Sequence, residues 1–266
     1  MIRNISSKTW IITLIIFIGL KANAQTVTLD NYYNQETKKD KAGNVVSFHY
    51  LWDEKESSGF SIFGEAFKRN GAKELKTLST APTEANLKGT AIFIIVDPDN
   101  LKDNPKPNYV TETEATAIAK WVKEGGVLLI MANDEVNADL EHLNLLTTKF
   151  GFTFNKDLIL HVIDDQHFAD GELTIENNPV LKTAKTIFIK DASSIAINNS
   201  AKSILKTADG KNVMVSVKYG KGTVLAVGDP WLYNEYVNGR LPVKYENDKA
   251  ANDISSWLLK QTTKKD

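Results

Sequence analysis

Gly125-Gly-Val-Leu-Leu-Ile-Met-Ala-Asn-Asp-Glu-Val-Asn137 is the stretch whose reading decides the fold. Val127 to Met131 is apolar without alternation, the pattern of a strand buried on both faces at the centre of a parallel sheet. The run stops at amides and carboxylates, and an apolar helical pattern follows, so Ala132 to Asn137 falls in the crossover turn. Ligands of open α/β sheets bind beyond the carboxyl ends of the strands. Asn133, Asp134 and Asn137 are therefore the first candidates for a site.

Upstream, Thr111 and Glu114 have the spacing of a capping box, and Ala115, Ile118, Ala119 and Val122 form one apolar face ended by Gly125-Gly126. Thr90 to Val96 reads as a second buried strand, running into Asp97-Pro-Asp99 and a long Pro-containing loop to Pro107. Lys73 to Leu78 is a short strand. Val45 to Trp52 is rich in β-formers and reads as the first core strand. Phe60, Phe63 and Phe67 then recur at helical spacing, with Ser57 or Ser58 as N-cap and Asn70-Gly71 as stop. Gln25 to Gln35 offers one more strand, ahead of a lysine-rich turn. Downstream, Leu140, Leu143, Leu146 and Phe150 mark a helix stopped by Gly151. This β-α rhythm predicts a right-handed, doubly wound, mostly parallel sheet.

After Gly151 the rhythm changes to short strands, which predicts a β-rich insertion over about 152 to 210 in a β-rich C-terminal extension. Val213 to Lys218 and Thr223 to Val227 form a hairpin that runs into Gly228-Asp-Pro-Trp-Leu-Tyr-Asn-Glu-Tyr236. A helix with Ile254, Trp257 and Leu258 closes the chain.

Arg3 and Lys8, the apolar run Trp10 to Leu20, and Ala22-Asn-Ala24 have the order of a secretory signal peptide. Residues 1–24 are set aside as that signal, which leaves 25–266 as one α/β domain in the periplasm or outside the cell. No Cys follows the small residues, against a lipid anchor. Loss of Arg3, Lys8 and Lys21 takes the formal charge from −1 to −4. No basic stripe interleaved with aromatics is present, against nucleic acid as a partner. The absence of Cys excludes disulfides, thiolate nucleophiles and thiolate metal sites.

Four polar clusters fall where strands should end: His49, Tyr50, Trp52 and Asp53; Asp97 and Asp99; Asn133, Asp134 and Asn137; and Asp229, Trp231, Tyr233, Asn234 and Glu235. Each carboxylate alone is equally well a helix or turn cap, and His49 equally well a structural imidazole. Parallel neighbours would bring all four to one sheet edge, where repulsion must be offset by a cation, a proton or a substrate donor. His161 and His167 flank Asp164-Asp165 in a stretch suited to a lid. After the signal only two arginines remain, Arg69 and Arg240, and the planar fork of Arg240 suits a carboxylate. Trp231, Tyr233 and Tyr236 suit a sugar, whose ring has apolar faces and hydroxyl edges. No HExxH or comparable spacing marks zinc; the cofactor is open, with a divalent cation as one candidate.

Asp97-Pro-Asp99, the Gly-Gly-Val-Leu-Leu-Ile-Met-Ala-Asn-Asp turn, Gly228-Asp-Pro-Trp-Leu-Tyr-Asn-Glu-Tyr236 and Tyr245-Glu-Asn247 together resemble a secreted domain. That domain is found fused to, or beside, unsaturated rhamnogalacturonyl and glucuronyl hydrolases of polysaccharide-degrading bacteria. The resemblance covers nearly the whole chain after the signal. More distantly, the β-α rhythm resembles the class I glutamine amidotransferase-like fold, a flavodoxin-like architecture. Its enzymes place a Cys nucleophile after a central strand; Ala132-Asn133-Asp134 stands there, against amidotransferase chemistry. The resemblance implies breakdown of a uronic-acid-containing polysaccharide of ulvan or rhamnogalacturonan type. It also implies an acidic oligosaccharide as partner and functional coupling to unsaturated uronyl hydrolases.

Two functions follow as expectations. An oligosaccharide dehydratase would remove water from a saturated non-reducing-end uronate to give the 4,5-unsaturated residue those hydrolases need. Arg240 and Asn133 would clamp the carboxylate, with Trp52, Asp99, Asn137, Trp231 and Glu235 as further substrate contacts. His49, Tyr50 or Tyr233 would move protons, while Asp97, Asp134 and Asp229 orient them, bind hydroxyls or hold an ion. The alternative is a non-catalytic carbohydrate-binding module that presents oligosaccharide to a partner hydrolase. A hydrolase or esterase is disfavoured, since no serine sits in a GxSxG elbow.

Overall fold

The computed structural model describes residues 25–55, 58–198 and 200–262; the expected signal peptide and Ser57 lie outside the described residues. In chain order the elements are β1 (Thr26–Asp30), β2 (Thr37–Lys39), β3 (Val45–Ser47), α1 (Ser61–Arg69), β4 (Glu74–Leu78), β5 (Ile92–Val96), α2 (Glu112–Lys123), β6 (Val127–Met131) and α3 (Leu140–Thr147). They continue with β7 (Phe152–Phe154), β8 (Glu172–Thr174), β9 (Thr186–Phe188), β10 (Ile195–Ile197), β11 (Lys202–Lys206), β12 (Asn212–Tyr219), β13 (Gly222–Val227) and α4 (Asn247–Thr262).

The parallel part of the sheet runs β4-β1-β5-β6-β13. Every residue of β5, β6 and β13 is buried, as two-sided apolar strands must be. Alternation then sorts the side chains. Ile94, Val96, Leu129 and Met131 meet Phe63 and Phe67 of α1 and Ile254 and Leu258 of α4 in one core. Phe93, Ile95, Leu128 and Ile130 meet Ala115, Ile118 and Val122 of α2 and Leu143 and Leu146 of α3 in the other. The result is a three-layer α/β/α arrangement. Helix α2 has its full capping box on Thr111 and Glu114, and Gly125, at φ +123°, makes the left-handed turn into β6.

One strand assignment differs from the sequence reading. Val45 to Trp52 is not a core strand: only β3 is extended, paired with β2 in a small exposed hairpin. The chain leaves it because His49 and Tyr50 adopt positive φ, 67° and 53°. The parallel strand that takes its place is β1, within the Gln25 to Gln35 stretch that offered one more strand. Thr26 Oγ1 bonds Glu74 Oε2 at 3.2 Å and Thr28 Oγ1 bonds Thr90 Oγ1 at 2.8 Å, so both hydroxyls are buried with partners. Helix α1 is capped by Phe60 rather than Ser58. Past Gly151, β12 pairs antiparallel to β13 and carries β10 and β11, and β7 follows β10; these strands widen the main sheet. Strands β8 and β9 pair with each other apart from the main sheet.

Leu129 is fully buried at the middle of β6. Leu129→Ala is expected to lower stability by about 2–5 kcal/mol in chemical denaturation, against under about 1 kcal/mol for an exposed control.

Candidate active site

The chain leaving β1 passes to α1 on one face, and the chain leaving β5 passes to α2 on the other. The two connections part at the carboxyl edge, where such sheets place ligands. Three carboxyls stand there: Asp30 at the end of β1, and Asp97 and Asp99 just past β5. All three are at least nine-tenths buried, and the Oδ1 of each has no hydrogen-bond partner among the described residues. Asp30 Oδ2 accepts from the Tyr33 amide at 3.0 Å, and Asp99 Oδ2 from the Gln35 amide at 2.9 Å and Asn104 Nδ2 at 2.8 Å. Burial pushes Asp30 up to about 8 and Asp99 to about 6, over the opposing pull of these donors. Asp97 is driven well above the carboxylate range by the same loss of water, with the Glu36 charge adding to it.

Tyr50 donates its phenol to Asp97 Oδ2 at 2.7 Å, and Asn133 Nδ2 reaches the same oxygen at a loose 3.4 Å. Beside this pair, His49 Nδ1 meets Glu36 Oε1 at 2.5 Å. A carboxylate at Nδ1 keeps the imidazole proton there and leaves Nε2 with a free lone pair. The His49 and Glu36 side chains are 25% and 16% exposed, so the pair is reachable from solvent whereas Tyr50 is not. His49, Tyr50 and Asp97 (φ 42°) are all left-handed. Such conformations cost non-glycine residues energy and cluster where geometry serves function.

Other sequence candidates are held elsewhere. Asp134 closes its own turn, accepting from the Val136 amide at 2.8 Å and Asn137 Nδ2 at 2.5 Å, while Asn137 Oδ1 takes Lys102 Nζ. Both Asp229 oxygens go to backbone, the Lys190 amide at 2.7 Å and the Trp231 amide at 2.6 Å. Glu235 Oε1 accepts from Ser61 Oγ and the Ile62 amide, both at 2.6 Å, and so serves the start of α1. Tyr233 packs on Phe63 and lines a groove between α1 and α4. Trp52 bonds the Lys76 carbonyl at 2.8 Å over edge strand β4, and Asp53 is exposed. The four clusters therefore do not form one constellation: Tyr50, Asp97 and Asn133 meet, with His49 adjoining.

Trp231 and Arg240 belong to a second cleft. Trp231 lies against Tyr236 with ring centroids 4.4 Å apart, the Arg240 guanidinium stacks 4.1 Å over Tyr236, and Lys190 Nζ stands 4.9 Å from the Trp231 ring. Phe168, Phe188 and Asp165 complete its walls. Sequence reasoning missed Glu36, Asp30 and Lys190. Asp30 had a signal, an apolar-threonine run ending in a carboxylate; Glu36 had none, since its partner is thirteen residues on in an irregular segment. Among the described residues no group of three or more His, Asp or Glu is arranged to hold a metal, and no helix is long and apolar enough to cross a membrane.

No family model matches the chain, and no curated protein does. Solved structures match at low identity. The mmIFT52 N-terminal domain aligns over 88% of this chain and 97% of its own, at 16% identity and TM-score 0.66. A beta-galactosidase from Rahnella sp. R3 aligns over 88% of this chain but 30% of its own, at 14% identity and TM-score 0.51. These likenesses establish a shared fold.

The raised carboxyls carry a stability signature. The folded chain binds more protons than the unfolded one above about pH 4, so stability present below that range is lost as pH rises through about 6 for Asp99 and about 8 for Asp30. The urea midpoint is expected to be higher near pH 5 than near pH 8.5, with Asp30→Asn narrowing the gap. A wild-type midpoint that is equal or higher at the alkaline end contradicts neutral carboxyls.

Proposed function

We propose that this protein is an exported carbohydrate-active enzyme, an oligosaccharide dehydratase that converts a saturated non-reducing-end uronate into its 4,5-unsaturated form. The observation that carries the reading is the His49–Glu36 pair beside Tyr50–Asp97 at the carboxyl edge of the parallel sheet. Dehydration removes the proton on C5, turns that electron pair into the C4=C5 bond, and expels the C4 oxygen as water. His49 Nε2, oriented by Glu36, takes the C5 proton. His49, which then carries that proton on a solvent-reachable ring, gives it to the departing C4 oxygen, so the cycle is balanced. The buried Tyr50–Asp97 pair holds the left-handed turn that positions His49. Asn133, loosely bonded to Asp97, is the amide offered to the charge that develops on the carboxylate.

The uronate class comes from the sequence resemblance to domains accompanying unsaturated uronyl hydrolases, and the periplasmic or extracellular setting from the N-terminal segment. Kinship with the flavodoxin-like, glutamine amidotransferase-like architecture belongs to the same proposal. Numbering the parallel strands in chain order gives 2-1-3-4-5, which supports that reading, and the β1 and β5 carboxyl ends lie where the order reverses. A second reading, the non-catalytic oligosaccharide-binding module, is favoured by Asp134, Asp229 and Glu235, whose carboxylates are spent on backbone and turn.

Incubation with a saturated uronyl-rhamnose oligosaccharide, followed by absorbance of the new double bond, separates the readings. Wild type is expected to generate the signal, and His49→Ala to slow it by about 10²- to 10⁴-fold. Binding without new absorbance in wild type removes the dehydratase and leaves the module.

A further inference from the structure

Arg240 is a cation whose fork is already filled. Its Nε donates to Asp165 Oδ2 at 3.0 Å and its Nη2 to Asp165 Oδ1, the bidentate pattern a carboxylate ligand would adopt. Asp165 comes from the stretch 163–167, exposed throughout, with its own side chain 53% exposed. Arg240 is better fixed than its partner, because its guanidinium stacks on Tyr236, which in turn lies on Trp231. The fork therefore keeps its direction when Asp165 leaves. An exposed pair of this kind contributes little, so a competing carboxylate displaces it at small cost.

The rest of the cleft suits what such a carboxylate is attached to. Trp231 and Tyr236 line it with aromatic surface, and Lys190, 3.7 Å from Asp191, adds a second cation. With Asp165 in place the cleft has only about 10 Å³ of free room, so the occupant must move the 163–167 stretch aside. Val162 and Phe168, which flank that stretch, line the cleft and anchor its two ends.

We infer that the Trp231–Tyr236–Arg240 cleft is a receptor for a sugar carboxylate and that Asp165 occupies the ligand's place as an internal competitor. The inference rests on the reading that the protein engages uronates, and not on dehydration. A binding-competent state populated only when Asp165 swings out weakens apparent affinity by its own population. Removing the competitor removes that penalty.

Calorimetric titration of the full chain with glucuronate, and with glucose as the uncharged control, tests this in wild type, Asp165→Ala, Asp165→Asn and Arg240→Gln. Both Asp165 variants are expected to bind glucuronate about fivefold tighter than wild type, with glucose binding unchanged. Arg240→Gln is expected to lose glucuronate by tenfold or more. Near-UV circular dichroism identical to wild type shows that each variant is folded. The inference is overturned if neither Asp165 variant gains, if glucose gains as much as glucuronate, or if Arg240→Gln binds as wild type does. Failure of the absorbance assay leaves these outcomes untouched, so the two proposals fall separately.

Discussion

The hydrogen bond from Tyr50 to Asp97, 2.7 Å long and closed off from water, is the contact on which the carboxyl edge of this sheet depends. Asp97 is the first residue past β5, and its backbone is already committed. Its amide donates to the Met131 carbonyl at 2.8 Å, and its carbonyl accepts from Asn34 Nδ2 at 2.8 Å. The residue thus ties β6, the loop after β1 and the segment carrying His49 to one point. An ionised carboxylate there would lack water and hold one unpartnered oxygen, so the neutral acid is the form the fold tolerates. Tyr50 accepts a left-handed backbone to reach it, and that turn also delivers His49 to Glu36.

The acidic residues of the edge divide by how they are satisfied. Asp134, Asp229 and Glu235 spend their oxygens on backbone amides and short turns, which is how a fold uses carboxylates to end strands and begin helices. Asp30, Asp97 and Asp99 each keep an oxygen without a partner, which sets them apart; burial raises all three, as it raises Asp229, whose oxygens are both bonded. Displaced titrations of this kind concentrate at functional sites. Here they coincide with the switch point of the parallel sheet, an independent topological reason to look there.

Much of the scaffold was legible because local pattern and tertiary environment agree. The apolar run of β6, the Thr111–Glu114 box and the hairpin of β12 and β13 each read the same in sequence and structure. Strand β1 was legible as a strand but not as one inside the sheet, because its buried threonines are satisfied by Glu74 and Thr90, partners that single-strand periodicity cannot supply. Val45 to Trp52 misled in the opposite sense: its β-forming side chains are overridden by the left-handed turn that Tyr50 takes to reach Asp97. At the site, chemistry-bearing residues could be named from strand ends, but their sorting could not. Whether a carboxylate caps its own turn or faces a crevice depends on side-chain direction, which spacing leaves open for Asp134 and Asp229 alike.

The most direct measurement of this account is the protonation of Asp97, followed by carbon NMR of side-chain carboxyls in aspartate-labelled protein and assigned by its loss in Asp97→Asn. A carboxyl signal that titrates well above the range of a solvated aspartate is the result the account predicts. A signal that titrates near pH 4, in the ordinary range of about 3.9 for a solvated aspartate, would contradict it.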